Sequence, residues 1–138
     1  MAQEVAKAIE NEGGRAIAIL ADAGDAATVR AAVARTVEIY GGIDMLVNNA
    51  GLSLGGPIEA ISFEDYQRLI AVSVTGVFVV TQEAVRNMKE RGRIIHIGSS
   101  MTRYTGCRRA IDQISTQIDE EVQRCAPSRS WQLWRSLG

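Results

Sequence analysis

Gly41-Gly42-Ile43-Asp44-Met45-Leu46-Val47-Asn48-Asn49-Ala50-Gly51 is the stretch whose reading decides the fold. Paired glycines end a helix because they enter left-handed backbone without a Cβ clash, and the apolar run Ile43 to Val47 then reads as a short buried strand. Upstream, Val29, Val33, Thr36, Val37 and Tyr40 fall on one helical face, with Asp25 placed to cap the helix start. Before that cap, Arg15 to Ala21 is another short apolar run (Ile17, Ile19, Leu20), closed by the turn residues Asp22, Gly24 and Asp25, and it predicts a strand. Strand, helix and strand with short joints make the unit of a parallel sheet, so the fold class is α/β.

The pattern continues on both sides. Val5, Ala8 and Ile9 repeat at helical spacing before Gly13-Gly14, predicting a helix at the start. Ser62, with Asp65 three residues on, opens a long helix at Phe63 that is expected to run to about residue 89, before Gly92. Its middle (Val72, Val74, Thr75, Val77, Val79, Val80) is β-branched and favours strand on propensity alone, yet it lacks flanking turn signals, and helix is the expectation. Arg93 to Ile97 is the better strand, and Ile111, Ile114, Ile118 and Val122 mark a last helix at 109–124. From Cys125 the periodicity stops, which divides the chain into a domain at 1–124 and a divergent tail at 125–138.

Composition narrows the function classes. Of 138 residues, 46% are hydrophobic, and 15 basic side chains face 16 acidic ones, so no surplus of positive charge exists to engage nucleic acid. The longest apolar stretch, Leu69 to Val80, is shorter than the roughly 20 residues of a bilayer span, so no membrane partner is expected. The opening residues alternate charged and small apolar side chains without the apolar core of a secretory signal, and the expected compartment is the cytoplasm. His96 is the single histidine, and Cys107 and Cys125 lack ligand spacing, so no metal site is expected from Cys and His.

In a parallel sheet, ligands bind beyond the carboxyl ends of the strands. Asp22 ends the first apolar run, where its carboxylate suits either the amino group of a ligand base or an ordinary turn. Asn48-Asn49-Ala50-Gly51 ends the second; two amides followed by two minimal side chains let backbone approach a flat ligand, and a plain strand exit explains them equally. Gly98-Ser99-Ser100 ends the third, with Tyr104 five residues past Ser99, hydroxyls suited to a substrate carbonyl oxygen. A serine hydrolase is disfavoured, since no Gly-x-Ser-x-Gly elbow is present and His96 sits in a strand.

These strings, together with Val72-Ser73-Val74-Thr75-Gly76-Val77-Phe78 and Gly92-Arg93-Ile94-Ile95-His96-Ile97-Gly98-Ser99-Ser100, resemble the classical short-chain dehydrogenase/reductase family, in particular its 3-oxoacyl-ACP reductase-like members. The resemblance covers about residues 1–124 and implies a Rossmann-like, doubly wound parallel sheet, here partial, with the first two strands and the C-terminal strands missing. It implies NAD or NADP as cofactor, with Asp22 and Ala23 near the adenine and Asn48, Ala50 and Gly51 along the adenosine side. It implies hydride transfer between nicotinamide and a small alcohol or carbonyl substrate, with Ser99 polarising the oxygen, Tyr104 as acid or base, Arg108 where the family has lysine, and Ser73 where it has a relay asparagine.

The chain also departs from that pattern. No two glycines are separated by a single residue, so the dinucleotide fingerprint is absent, and no lysine follows Lys89. Ser99 and Tyr104 stand closer together than in the family. The resemblance further implies homo- or hetero-oligomers through helices 63–89 and 109–124, and the alternative function is a truncated, non-catalytic fragment acting through such pairing.

Overall fold

The computed structural model describes residues 1–98. The last helix, the boundary near residue 124, and Ser99, Tyr104 and Arg108 lie outside them.

Helix α1, Ala2–Asn11, ends where Gly13 takes φ +84° and the Gly14 N–H donates to Ile9 O at 2.9 Å. Helix α2, Ala26–Tyr40, starts on Asp25, whose carboxylate accepts the Ala27 N–H at 2.9 Å, and stops at left-handed Gly41. Its buried face, Val29 and Val33, delivers the chain into strand β1, Ile43–Asn48.

A 24-residue helix, Phe63–Arg86, follows a 3₁₀ turn at Ile58–Ala60. It comprises α3 (Phe63–Ile70), a π-helical segment at Ala71–Gly76, and α4 (Val77–Arg86). Ser62 caps it, accepting the Asp65 N–H at 3.0 Å and donating its hydroxyl to the Asp65 carboxylate at 2.6 Å. The β-branched middle is thus helical, with π geometry at Ala71–Gly76. By length and mean hydropathy (1.4) this helix could cross a bilayer; here it is the central packing element, with Leu69, Val72, Gly76, Val77, Val79 and Ala84 buried and Glu83 paired to Arg30 and Arg86.

The helix ends three residues earlier than the expected 89, and strand β2, Met88–His96, starts before the expected Arg93. The cause is the mouth of β1. Asn87 caps the helix through its Nδ2 to Glu83 O (2.9 Å), its own carbonyl accepts the Ile43 N–H (3.1 Å), and Lys89 pairs with Asp44 (2.9 Å), drawing residues 87–89 onto the strand early. The ladder then jumps: Ile43 is opposite Met88 but Met45 is opposite Arg93, with Arg91 at φ 71° in the bulge. From Met45/Arg93 to Asn48/His96 the parallel register is regular. The core joins Val33 of α2, Ile43 of β1 and Ala84 of α4, with Val37, Leu46, Val80 and Met88 against them.

One expected strand is not formed. Residues 15–21 are extended but carry no ladder, because a strand needs a neighbour about 4.8 Å away and a cavity of about 650 Å³ lies between this segment and β1. The segment is instead held at its ends, by Arg15 over the Tyr40 ring (5.2 Å) and by the turn at Asp22.

Candidate functional site

Asp22 is the most heavily engaged of the sequence-chosen residues. Its Oδ1 accepts the Gly24 N–H at 2.8 Å, and Arg68 donates Nη1 to Oδ2 and Nη2 to Oδ1, both at 3.1 Å. The Thr28 hydroxyl donates to Asp22 O at 2.9 Å, closing the turn onto α2. The Arg68 guanidinium first, and the Gly24 N–H after it, hold the Asp22 carboxyl below its ordinary range, so it is an anion at neutral pH. Among the described residues, donors take three of the roughly four acceptor positions on the carboxylate.

The same helix clamps the residues after Asp22. Gly24 lies against Arg68 and Val72, and Gly76 packs so closely on Ala23 that an added methyl would meet the Ala23 carbonyl oxygen. Arg68, Val72 and Gly76 are spaced four apart, one row along the helix, and that row holds the Asp22–Gly24 turn.

Ser73, one position round from Val72, is 8% exposed, and its Oγ accepts the Leu52 N–H at 3.1 Å. That bond seats the loop after Gly51 on the π segment, and among the described residues the Ser73 hydroxyl hydrogen has no side-chain or loop acceptor. Asn48 is turned inward: its Nδ2 donates to Thr81 Oγ1 at 3.0 Å and approaches His96 Nδ1 at 3.2 Å, tying β1 to α4 and β2. Asn49, Ala50 and Gly51 stay exposed at the strand end.

Residues from three separated segments thus converge on one helix: Asp22–Gly24 on Arg68, Val72 and Gly76; Gly51–Leu52 on Ser73; Asn48 on Thr81. Ala23, Asn48, Asn49 and Ala50 line a common cavity at the carboxyl end of β1. Sequence reasoning missed Arg68 and Thr81. The available signal for Arg68 was the four-residue row it forms with Val72 and Gly76, one cationic position above two apolar or small ones.

Comparison with known proteins is consistent along most of the chain. The family model described as short chain dehydrogenase matches residues 1–112. An uncharacterized oxidoreductase of Methylorubrum extorquens is 36% identical over 129 residues, covering 88% of this chain and 52% of the relative. Among solved structures, the Serratia marcescens short-chain dehydrogenase/reductase superposes with a TM-score of 0.83 at 40% identity, covering 88% of this chain and 50% of that one. A Burkholderia cenocepacia short chain dehydrogenase in complex with NADP gives a TM-score of 0.82 at 36% identity, over 87% of this chain and 49% of that one. The chain spans about half the length of these relatives.

Proposed function

The chain belongs to the short-chain dehydrogenase family, and from that premise we propose that it carries part of an NAD- or NADP-dependent oxidoreductase acting on a small alcohol or carbonyl substrate. The fold is the partial Rossmann-like α/β expected from the resemblance. The observation that carries the functional reading is the convergence of the Asp22–Gly24 turn and the Asn48–Leu52 exit on helix positions 68–76, at the strand end where an α/β sheet takes a nucleotide. The Burkholderia relative, with NADP in its structure, supports a nicotinamide dinucleotide as the ligand.

In this reading the residues described suit the adenosine end of the cofactor. The remaining acceptor position of Asp22 takes an exocyclic amino group, and Ala23, Ala50 and Gly51 present small side chains that let a flat base and ribose lie on the backbone. Asn48 acts behind them as a positioning residue through Thr81 and His96. When bound, nicotinamide exchanges the hydride with the substrate carbon. Ser99 holds the substrate oxygen, Tyr104 gives or takes the matching proton with Arg108 favouring its anion, and Ser73 passes that proton onward through its hydroxyl. The same reading puts its action in the cytoplasm.

The test is oxidation of NADPH and NADH by the 138-residue chain with a panel of ketones and 3-oxoacyl thioesters, against Ser99→Ala. Where the chain turns over, a fall of about 100-fold or more in Ser99→Ala is the expected result, as for loss of an oxyanion-stabilising group. Turnover unchanged in Ser99→Ala would refute the assignment. Absence of both turnover and NADPH binding favours a second reading, in which the chain is non-catalytic and pairs with a related subunit. Phe63, Phe78 and Val85, 71%, 50% and 52% exposed along the long helix, give that reading its surface.

A further inference from the structure

Asn48 and His96 are Cα partners in the parallel ladder, so their side chains leave the sheet on one face and adjoin. Helix α4 brings Thr81 to the same place, and Asn48 Nδ2 stands 3.0 Å from Thr81 Oγ1 and 3.2 Å from His96 Nδ1. An amide nitrogen carries two hydrogens and accepts nothing, so both neighbours must accept from it. His96 Nδ1 is therefore unprotonated in this arrangement, and the ring proton sits on Nε2.

The arrangement fits a neutral ring only. An imidazolium carries a proton on each nitrogen, and its Nδ1–H would point at the N–H donors of Asn48, leaving donors unsatisfied in a half-buried place. One movement restores the bonds. A half-turn of the Asn48 amide brings Oδ1 inward, where its two lone pairs accept from His96 Nδ1–H and from the Thr81 hydroxyl, which rotates to donate.

No fixed charge competes with that of the ring. The elements packed on β2 are β1 and α4, and they face His96 with Asn48 and Thr81, neither of which titrates. The charged groups of those elements are engaged elsewhere: Asp44 of β1 with Lys89, and Glu83 of α4 with Arg30 and Arg86. Arg93 of β2, three positions before His96, leaves the strand on the opposite face.

The half-turn has an outward consequence. Asn48, Asn49 and Ala50 line the cavity at the end of β1. Among the described residues no hydrogen bond reaches Asn48 Oδ1, and it is not a buried orphan, so it is an accessible acceptor there. We infer that His96 is a proton-controlled positioning residue: its charge sets the orientation of the Asn48 amide, and so decides whether the end of β1 offers a ligand a hydrogen-bond acceptor or a donor. The neutral ring leaves the carbonyl oxygen outward, and the charged ring turns the NH2 outward. The inference holds whether or not the nucleotide reading does, and its test requires no ligand.

Histidine is the side chain whose charge changes between pH 5 and 8, and His96 is the single histidine of the chain, so its ring signals identify themselves. Nitrogen-15 NMR of the 138-residue chain, from pH 8 to pH 5, follows the ring nitrogens and the side-chain amides together. At pH 8 the Nδ1 signal should be that of an unprotonated nitrogen. As the ring takes its proton, the Asn48 NH2 signals should move along the same curve. Hydrogen exchange of that NH2, measured against the Asn87 NH2 that donates to Glu83 O, should quicken by about tenfold or more. In His96→Gln, which keeps a polar side chain and loses the charge change, the Asn48 signals should stay flat. Flat Asn48 signals beside a titrating ring would overturn the inference. So would a ring still neutral at pH 5 in the folded chain, or Asn48 signals that follow pH in His96→Gln. Unfolding in step with the ring would overturn it too, because the second bonded state would then not exist.

Discussion

Arg68 and Asp22 stand 46 positions apart in sequence, yet the guanidinium donates to both oxygens of the carboxylate at 3.1 Å each. The fork-on-fork geometry fixes the turn at residues 22–24 to the first part of the long helix. Both groups remain about half exposed, so the pair acts chiefly through geometry and pKa.

Because the Asp22 pKa is lowered in the folded chain, the pair contributes stability above the unperturbed value of 3.8 and loses it as pH falls through the lower folded value. Arg68→Gln should therefore move the Asp22 titration up toward 3.8, with Gly24 still donating, and remove that acid-side component of stability. Carbon-detected NMR titration of the Asp22 carboxyl in both proteins checks this. An unchanged midpoint would show that Gly24 alone sets the shift.

Gly76→Ala places a methyl against the Ala23 carbonyl oxygen, a backbone atom that cannot rotate away. The expected cost is about 1–3 kcal/mol of unfolding free energy, typical of overpacking, together with faster hydrogen exchange at the Gly24 amide. Urea denaturation and amide exchange measure the two effects. Gly51→Ala, with only Ser73 Oγ 3.9 Å from the added carbon, is the control expected to cost less.

Ser73→Ala removes the acceptor of the Leu52 N–H. A loss of about 1 kcal/mol is expected, with exchange at the Leu52 amide accelerating while β1 amides stay protected. If the Leu52 amide keeps its protection, that hydrogen bond does not hold the loop.

Asn48→Ala and Thr81→Val break the same contact from its two sides. Each should destabilise the fold by about 0.5–1.5 kcal/mol, and the double variant should cost less than their sum, since only one bond is lost. Strict additivity in a double-mutant cycle would place the role of Asn48 in its contact with His96.

Much of this fold was legible locally. Asp25 and Gly41 bound α2 as their capping chemistry requires, Gly13 stops α1, Ser62 and Asp65 open the long helix, and Ile43–Asn48 is a strand. These signals work because they depend on dihedral preferences and hydrogen bonds within a few residues. The β-branched run at 72–80 was legible as helix only by context, and neither its π-helical form at Ala71–Gly76 nor the packing of Gly76 on Ala23 was legible, because no local signal encodes them.

By itself the sequence determined the α/β class, the family likeness, the turn at Asp22 and the strand end at Asn48–Gly51, since period, caps and turn residues are local properties of the chain. Tertiary structure alone decided that Arg68 grips Asp22, that Asn48 turns inward to Thr81 and His96, and that Ser73 holds Leu52. It also decided that β2 begins at Met88 and that residues 15–21, strand-like in composition, form no ladder across the cavity that separates them from β1. The physical reason is the same in each case: a hydrogen bond between distant residues exists only where packing brings donor to acceptor, and an extended segment becomes a strand only when another strand lies alongside it.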